Sequence, residues 1–178
     1  MKLMFASDIH GSAYYAERLR ESYFEEKADK LILLGDLLYH GPRNDLPKEY
    51  APKRVIEILN GMKSELLCVR GNCDTEVDQM VLEFPILADY AILYLDGKMV
   101  YMTHGHHQNP QNPPMLKDGD ILMNGHTHVS AQEWIQTDFG GFTYLNPGSV
   151  SIPKNGTGHS YMIYENGVFS LKTLKDNG

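Results

Sequence analysis

The stretch Leu31-Ile32-Leu33-Leu34-Gly35-Asp36 limits the chain more than any other. Four apolar residues in succession suit a strand buried on both faces. Gly35 then lets the chain turn sharply, and Asp36 stands at the strand's carboxyl end. In open α/β sheets ligands gather at that edge. A carboxylate there is costly to bury unless positive charge meets it. No nearby run of Lys or Arg supplies that charge, so the stretch points to a metal ion.

The same design recurs. Lys2 to Ala6 reads as a buried strand that ends in Ser7-Asp8-Ile9-His10-Gly11, and Leu66 to Val69 as one that ends in Arg70-Gly71-Asn72-Cys73-Asp74. Ser12 is positioned to cap a helix running to about Glu26, with Ala16, Leu19, Tyr23 and Phe24 toward the core. A second helix is expected from about Pro52 to Met62, with Val55, Ile58, Leu59 and Met62 on its apolar face. Strand, helix and strand in this order imply a right-handed parallel crossover. The connection 37–51 carries Gly41-Pro42 and Pro47 and is long, as functional loops often are.

From about Pro85 the pattern changes. Asp96-Gly97 and Asn166-Gly167 are strong hairpin signals, the first between Ala91–Leu95 and Met99–Thr103, the second between Tyr161–Tyr164 and Val168–Leu174. Ile121 to Met123, Ala131 to Gln136 and Phe142 to Leu145 read as further short strands. The second half is therefore expected to be mostly antiparallel. No repeat, low-complexity tract or linker interrupts the sequence, and 178 residues suit a single domain spanning 1–178.

A net charge of -7 disfavours a nucleic-acid groove. It permits a small phosphorylated substrate, because a bound metal can dominate the local charge. The two cysteines, Cys68 and Cys73, make no disulfide framework and suit a reducing, cytoplasmic setting. No secretory signal and no membrane span are expected.

Five polar clusters follow apolar strands: Asp8-Ile9-His10, Gly35-Asp36, Gly71-Asn72, Thr103-His104-Gly105-His106 and Gly125-His126-Thr127-His128. Residues two apart on extended backbone point to the same side, so Asp-X-His and His-X-His can each grip an ion. Carboxylate, amide and imidazole together suit Mn, Fe or Zn. Any one cluster alone reads as a surface turn. Five of them at strand ends predict a dinuclear site, because one metal cannot use seven such groups and two ions sharing Asp36 can.

The order Asp-X-His, Gly-Asp, Gly-Asn-X-Asp, His, Gly-His-X-His resembles that of the calcineurin-like metallophosphoesterases, from Met1 to about Pro153. Residues 4–12, 40–44, 69–74 and 146–153 carry a closer resemblance to the small bacterial YfcE-type phosphodiesterases. The resemblance implies an α/β fold, a four-layer α/β/β/α sandwich of two mixed sheets flanked by helices. It implies two divalent cations, manganese first, with iron, zinc or nickel as alternatives. Asp8, His10, Asp36 and His128 would hold one ion, and Asp36, Asn72, His104 and His126 the other. The implied reaction is hydrolysis of a small phosphodiester, with a water or hydroxide between the ions attacking phosphorus in line. Asn72, Cys73, Asp74 and His106 are the catalytic candidates, Asp74 by orienting a ligand. A homodimer or homotetramer is the implied assembly.

Two positions depart from the family pattern. Cys73 stands where many relatives have a His that protonates the leaving group, and His40 where protein phosphatases have a phosphate-clamping Arg. Both favour a diesterase acting on esters with good leaving groups. A non-catalytic scaffold, like the small retromer subunit of this fold, and a nuclease are the competing readings. His106 and His40 each read evenly between a site role and a loop role. His107 and His159 read as surface histidines, Arg43 and Asn44 as an exposed loop pair, Cys68 as core, and Asn146-Pro147-Gly148-Ser149 as a turn.

Overall fold

Alternation along two adjacent strands sets the layering. In β1 (Lys2–Ala6) and β2 (Lys30–Leu33), Met4, Ala6, Leu31 and Leu33 point to one face. Leu3, Phe5 and Ile32, with Leu34 just beyond β2, point to the other. Both faces are covered, as the unbroken apolar runs predict. The computed structural model describes residues 1–138 and 140–175. The expected single domain, 1–178, thus includes residues 139 and 176–178, which lie outside the described ones.

The first face receives the helices. Ser12 Oγ accepts from Tyr15 N and caps α1 (Ala13–Glu26), which buries Tyr15, Ala16, Leu19 and Tyr23. Phe24 was expected inward but is 56% exposed, because it falls beside the buried stripe. Pro52 opens α2 (Pro52–Asn60), whose Val55, Ile58 and Leu59 join the same core, with Met62 just beyond. A short 3-10 turn, Lys63–Glu65, leads into β3 (Leu66–Cys68). The brief helix α3 (Glu76–Gln79) was not anticipated. A capping box between Thr75 and Asp78 holds it.

The remaining strands are β4 (Ala91–Leu95), β5 (Lys98–Met102), β6 (Ile121–Met123), β7 (Ala131–Thr137), β8 (Gly140–Asn146), β9 (Ser160–Glu165) and β10 (Val168–Thr173). Two five-stranded sheets result, ordered β10-β9-β1-β2-β3 and β4-β5-β6-β8-β7. In both predicted hairpins the two turn residues have positive φ: 49° and 79° at Asp96-Gly97, 51° and 82° at Asn166-Gly167. The second half is mostly antiparallel, as expected, in β4–β5, β7–β8, β9–β10 and β1–β9. The middle of the second sheet is the exception, since β5–β6 and β6–β8 are parallel. The connection 103–120 is long enough for the crossover a parallel pair needs.

The sandwich of two mixed sheets with helices is thus the observed architecture. Between the sheets, Phe5, Ile32 and Leu34 meet Val100, Met102, Met123 and Leu145. Each such side chain contributes roughly 1.5–3 kcal/mol when fully buried. The far face of the second sheet carries Tyr101, Leu122, Phe142 and Tyr144, with Leu116 from the 103–120 connection packed on them. That connection, rather than a helix, supplies cover there. The parallel strands β1, β2, β3, β5 and β6 all end at one edge of the sandwich, where the polar clusters gather.

Candidate metal centre

Backbone contacts lash the strand-end turns together. Asp8 N donates to Gly35 O at 3.1 Å, His10 N to Asp36 O at 2.9 Å, and Gly125 N to His104 O at 2.9 Å. His126 N donates to Asp8 Oδ2 at 3.0 Å and so joins the two sheets at the site. Where the β2 and β3 turns touch, there is no room for a side chain. A Cβ on Gly71 would lie 2.2 Å from Asp36 N, and one on Gly35 would lie 2.3 Å from Gly71 N. Five of the seven predicted ligands, Asp8, His10, Asp36, His126 and His128, have φ between 49° and 65°. Non-glycine residues adopt this left-handed backbone at a cost of roughly 1–2 kcal/mol each. Such strain persists where the surrounding structure fixes it, and it collects at functional sites.

Three imidazoles have their orientation set from behind. His10 Nδ1 faces Tyr39 O at 2.7 Å, His104 Nδ1 faces Leu34 O at 2.6 Å, and His128 Nδ1 faces Ile152 O at 2.7 Å. A carbonyl only accepts, so each Nδ1 carries the proton, and Nε2 is the nitrogen each ring can offer to a cation. Those nitrogens converge. His10 Nε2 and His128 Nε2 are 3.2 Å apart. Asp8 Oδ1 lies 3.5 Å from His10 Nε2 and 3.3 Å from His128 Nε2. Asp36 Oδ2 lies 3.6 Å from His10 Nε2 and 3.3 Å from His104 Nε2. His104 Nε2 is also 3.0 Å from Asn72 Oδ1 and 3.2 Å from His126 Nδ1.

These separations fit divalent cations. Ligand atoms about 2.1 Å from a shared ion lie about 3.0–3.4 Å from each other. Asp8 Oδ1 is buried and has no hydrogen-bond partner, as befits an atom reserved for a cation. Among the described residues three groups could each hold an ion: Asp8, His10 and His128; Asp36, His104 and His126; and His10, Asp36 and Cys73. Asp36 belongs to two of them. The charges tell the same story. Burial alone would lower the His104 imidazole, yet Asp36 and Asp8 outweigh it and raise it to about 9. Burial would raise the Asp8 carboxyl, yet His10 and His128 hold it well below the usual range. The carboxylates demand positive charge, which protons or cations can supply.

Asp74 acts on backbone. Its Oδ2 accepts from Asp36 N at 2.9 Å and Gly71 N at 2.7 Å, and its Oδ1 accepts from Leu37 N at 2.9 Å. It therefore fixes the turns that carry Asp36 and Asn72, and orients Asp36 through that residue's backbone N–H. In Asp74→Asn one amide N–H would face a backbone N–H. We expect a loss of roughly 2–4 kcal/mol in urea unfolding of the metal-free protein. A loss under about 0.5 kcal/mol would show that the clamp is dispensable.

The other predicted residues separate. Cys73 N donates to Asp36 Oδ1 at 2.8 Å, and the thiol lies half-buried at the centre. Burial, then the Asp36 carboxylate, push the thiol up to about 12. The His106 ring is 5.5 Å from that of His104 and 6.1 Å from that of His126, outside all three ion-holding groups. Burial, then the charge of His104, push it down to about 4. His40 packs between Tyr39 and Tyr50, away from the cleft. His159 stacks on Tyr15 and bonds Val150 O, so it is a structural histidine. Arg43 and Asn44, expected as a loop pair, line the cleft.

Sequence reasoning missed Lys154, which lines the same cleft. It follows Pro153, the last residue of the family-like stretch 146–153, and a cation directly after that turn was the available signal. The turn itself also serves the site, since Ser149 Oγ and Ser151 Oγ both donate to Asp8 O, at 2.9 and 3.0 Å.

A model of the calcineurin-like phosphoesterase superfamily domain matches residues 1–167, further than the expected limit at Pro153. Phosphodiesterase YfcE of Escherichia coli (strain K12) is 48% identical over 176 residues, 99% of this chain and 94% of that protein. A solved structure of the E. coli phosphoesterase Yfce superposes with a TM-score of 0.93, covering 100% of this chain and 96% of that one. Vacuolar protein sorting 29 from Cryptosporidium parvum has a TM-score of 0.56 at 15% identity, covering 96% of this chain and 95% of that one, a likeness of fold alone. With the family match running through every strand-end cluster, the chain belongs to the calcineurin-like phosphoesterase superfamily.

Proposed function

We propose that this protein is a dinuclear metal-dependent phosphodiesterase acting on small phosphate esters. One observation carries the reading. Three imidazole nitrogens, each held by a carbonyl behind its ring, converge on the buried carboxylates of Asp8 and Asp36. The name of the E. coli relative, a phosphodiesterase at 48% identity, agrees with it. Asp8, His10 and His128 would hold one cation, Asn72, His104 and His126 the other, and Asp36 both. When bound, the cations supply a water of lowered pKa and offset charge on the phosphoryl oxygens.

The chain's own residues do the rest. Asp74, Ser149 and Ser151 keep the carboxylates in place. Asn72 and Cys73 border the space where the ester sits. Manganese is the first choice of metal. Iron, zinc and nickel are the alternatives, in keeping with the imidazole and carboxylate donors. We further propose a cytoplasmic homodimer or homotetramer. No helix among the described residues is long and apolar enough to cross a membrane.

The test is hydrolysis of a generic aryl phosphodiester before and after chelation, with manganese, iron, zinc or nickel added back. Losing several kcal/mol of metal assistance corresponds to a fall on the order of 10³-fold or more. Turnover that survives complete chelation would contradict the reading. Full metal content without hydrolysis would favour an interaction scaffold, and preferred cleavage of oligonucleotides a nuclease.

A further inference from the structure

Arg43 and Lys154 reach the cleft from different loops, beside His10, Asp36, His126 and His128. Both are exposed, and neither side chain enters an ion pair or hydrogen bond among the described residues. Their loops are anchored to candidate ligands. Tyr39 O accepts from His10 Nδ1, and Lys154 N donates to His128 O at 3.0 Å. Asn44 Nδ2 donates to His40 O at 2.8 Å and tightens the turn that carries Arg43. The two cations are thus held at the rim of the centre, in a chain whose net charge is -7.

Charge balance gives them a task. On the dinuclear reading, on which this inference rests, two divalent cations against Asp8 and Asp36 leave a surplus of about two positive charges. A phosphodiester and a hydroxide, each singly negative, use that surplus up. Arg43 and Lys154 then remain unmatched. The hollow on the other side of His126 is lined by Asn109, Gln111, Thr127, Glu133 and Tyr144, and holds no Lys or Arg among the described residues. An anionic part of the substrate therefore has one favourable side.

We propose that Arg43 and Lys154 are specificity residues that hold a second anionic group, a phosphomonoester or similar dianion, on one arm of the diester. The substrates are then small phosphodiesters that carry an additional phosphate. The guanidinium can grip two oxygens of that group as a fork, while the ammonium acts as a point charge.

The probes are adenosine 5′-monophosphate and adenosine 3′,5′-bisphosphate. Their affinities for the metal-loaded protein are measured by calorimetry and by competition with an aryl phosphodiester. Two rim charges of ordinary strength predict a preference for the bisphosphate of roughly ten-fold in the wild type. The double variant Arg43→Ala, Lys154→Ala should reduce that preference to within about two-fold, whereas Lys98→Ala, an exposed cation in the β4–β5 hairpin, should keep it. The proposal is overturned by a wild type without preference, by a double variant that retains it, or by an equal fall in Lys98→Ala. Aryl diester hydrolysis by the wild type is followed in parallel. Its absence would sink the phosphodiesterase reading and this proposal with it. Hydrolysis without bisphosphate preference would sink this proposal alone.

Discussion

Asp36→Asn is expected to lower turnover of an aryl phosphodiester on the order of 10³-fold or more and to impair both metal sites. The two carboxylate oxygens have separate tasks. Oδ1 accepts from Cys73 N at 2.8 Å, and Oδ2 faces His104 Nε2 at 3.3 Å and His10 Nε2 at 3.6 Å. An amide can do one task at a time. With its oxygen toward Cys73, its N–H groups fill the space a cation needs. With its oxygen toward the imidazoles, its N–H groups meet the Cys73 N–H. In neither case does it bring the negative charge that two cations share. His128→Ala should weaken first the ion that Asp8 and His10 hold. Metal counting on both purified variants, with thermal melting as the check on folding, decides the matter. Equal and full occupancy in Asp36→Asn would refute a bridging role.

Cys73→His is expected to raise the hydrolysis of alkyl phosphodiesters at least ten-fold while changing aryl esters little, since general acid catalysis is worth on the order of 10²–10⁴-fold. In-line displacement needs a leaving oxygen that can bear its charge. Burial favours the protonated thiol, and a thiol is a poorer proton donor to a leaving oxygen than an imidazolium is. His106 is a poorer candidate, because burial favours its neutral form and its ring lies 5.5 Å from that of His104. The substrate must then supply its own good leaving group, and the wild type should cleave aryl esters far faster than alkyl esters. A leaving-group series on both proteins, with metal content matched, measures this. Equal insensitivity to leaving-group acidity in both would show that Cys73 is not the missing acid.

The ligands were legible because each sits where an apolar run stops. Asp8, Asp36, Asn72, His104 and His126 follow β1, β2, β3, β5 and β6, and a polar residue at a strand's carboxyl end is conspicuous in sequence. The helices and hairpins were legible for local reasons, a Ser12 cap, a Pro52 start, and Asp-Gly and Asn-Gly turns. The parallel middle of the second sheet was not. Periodicity reports which face of a strand is buried, not which strand lies beside it, and β8 reaches β6 only by passing β7 to the edge. Asp74 holds Asp36 through backbone N–H groups, partners that no sequence pattern displays. Lys154 enters the cleft through the path of the 147–159 connection. The left-handed backbone at Asp8, His10, Asp36, His126 and His128 is likewise invisible in residue type, because Asp and His are ordinary elsewhere.

The most direct test of the central claim is a crystal structure of the manganese-loaded protein with anomalous data collected across the manganese edge. Two peaks roughly 3.5–4 Å apart are expected, as in other two-metal sites. Asp36 should lie between them, Asp8, His10 and His128 around one, and Asn72, His104 and His126 around the other. A single peak, or two peaks that do not share Asp36, would contradict the dinuclear account.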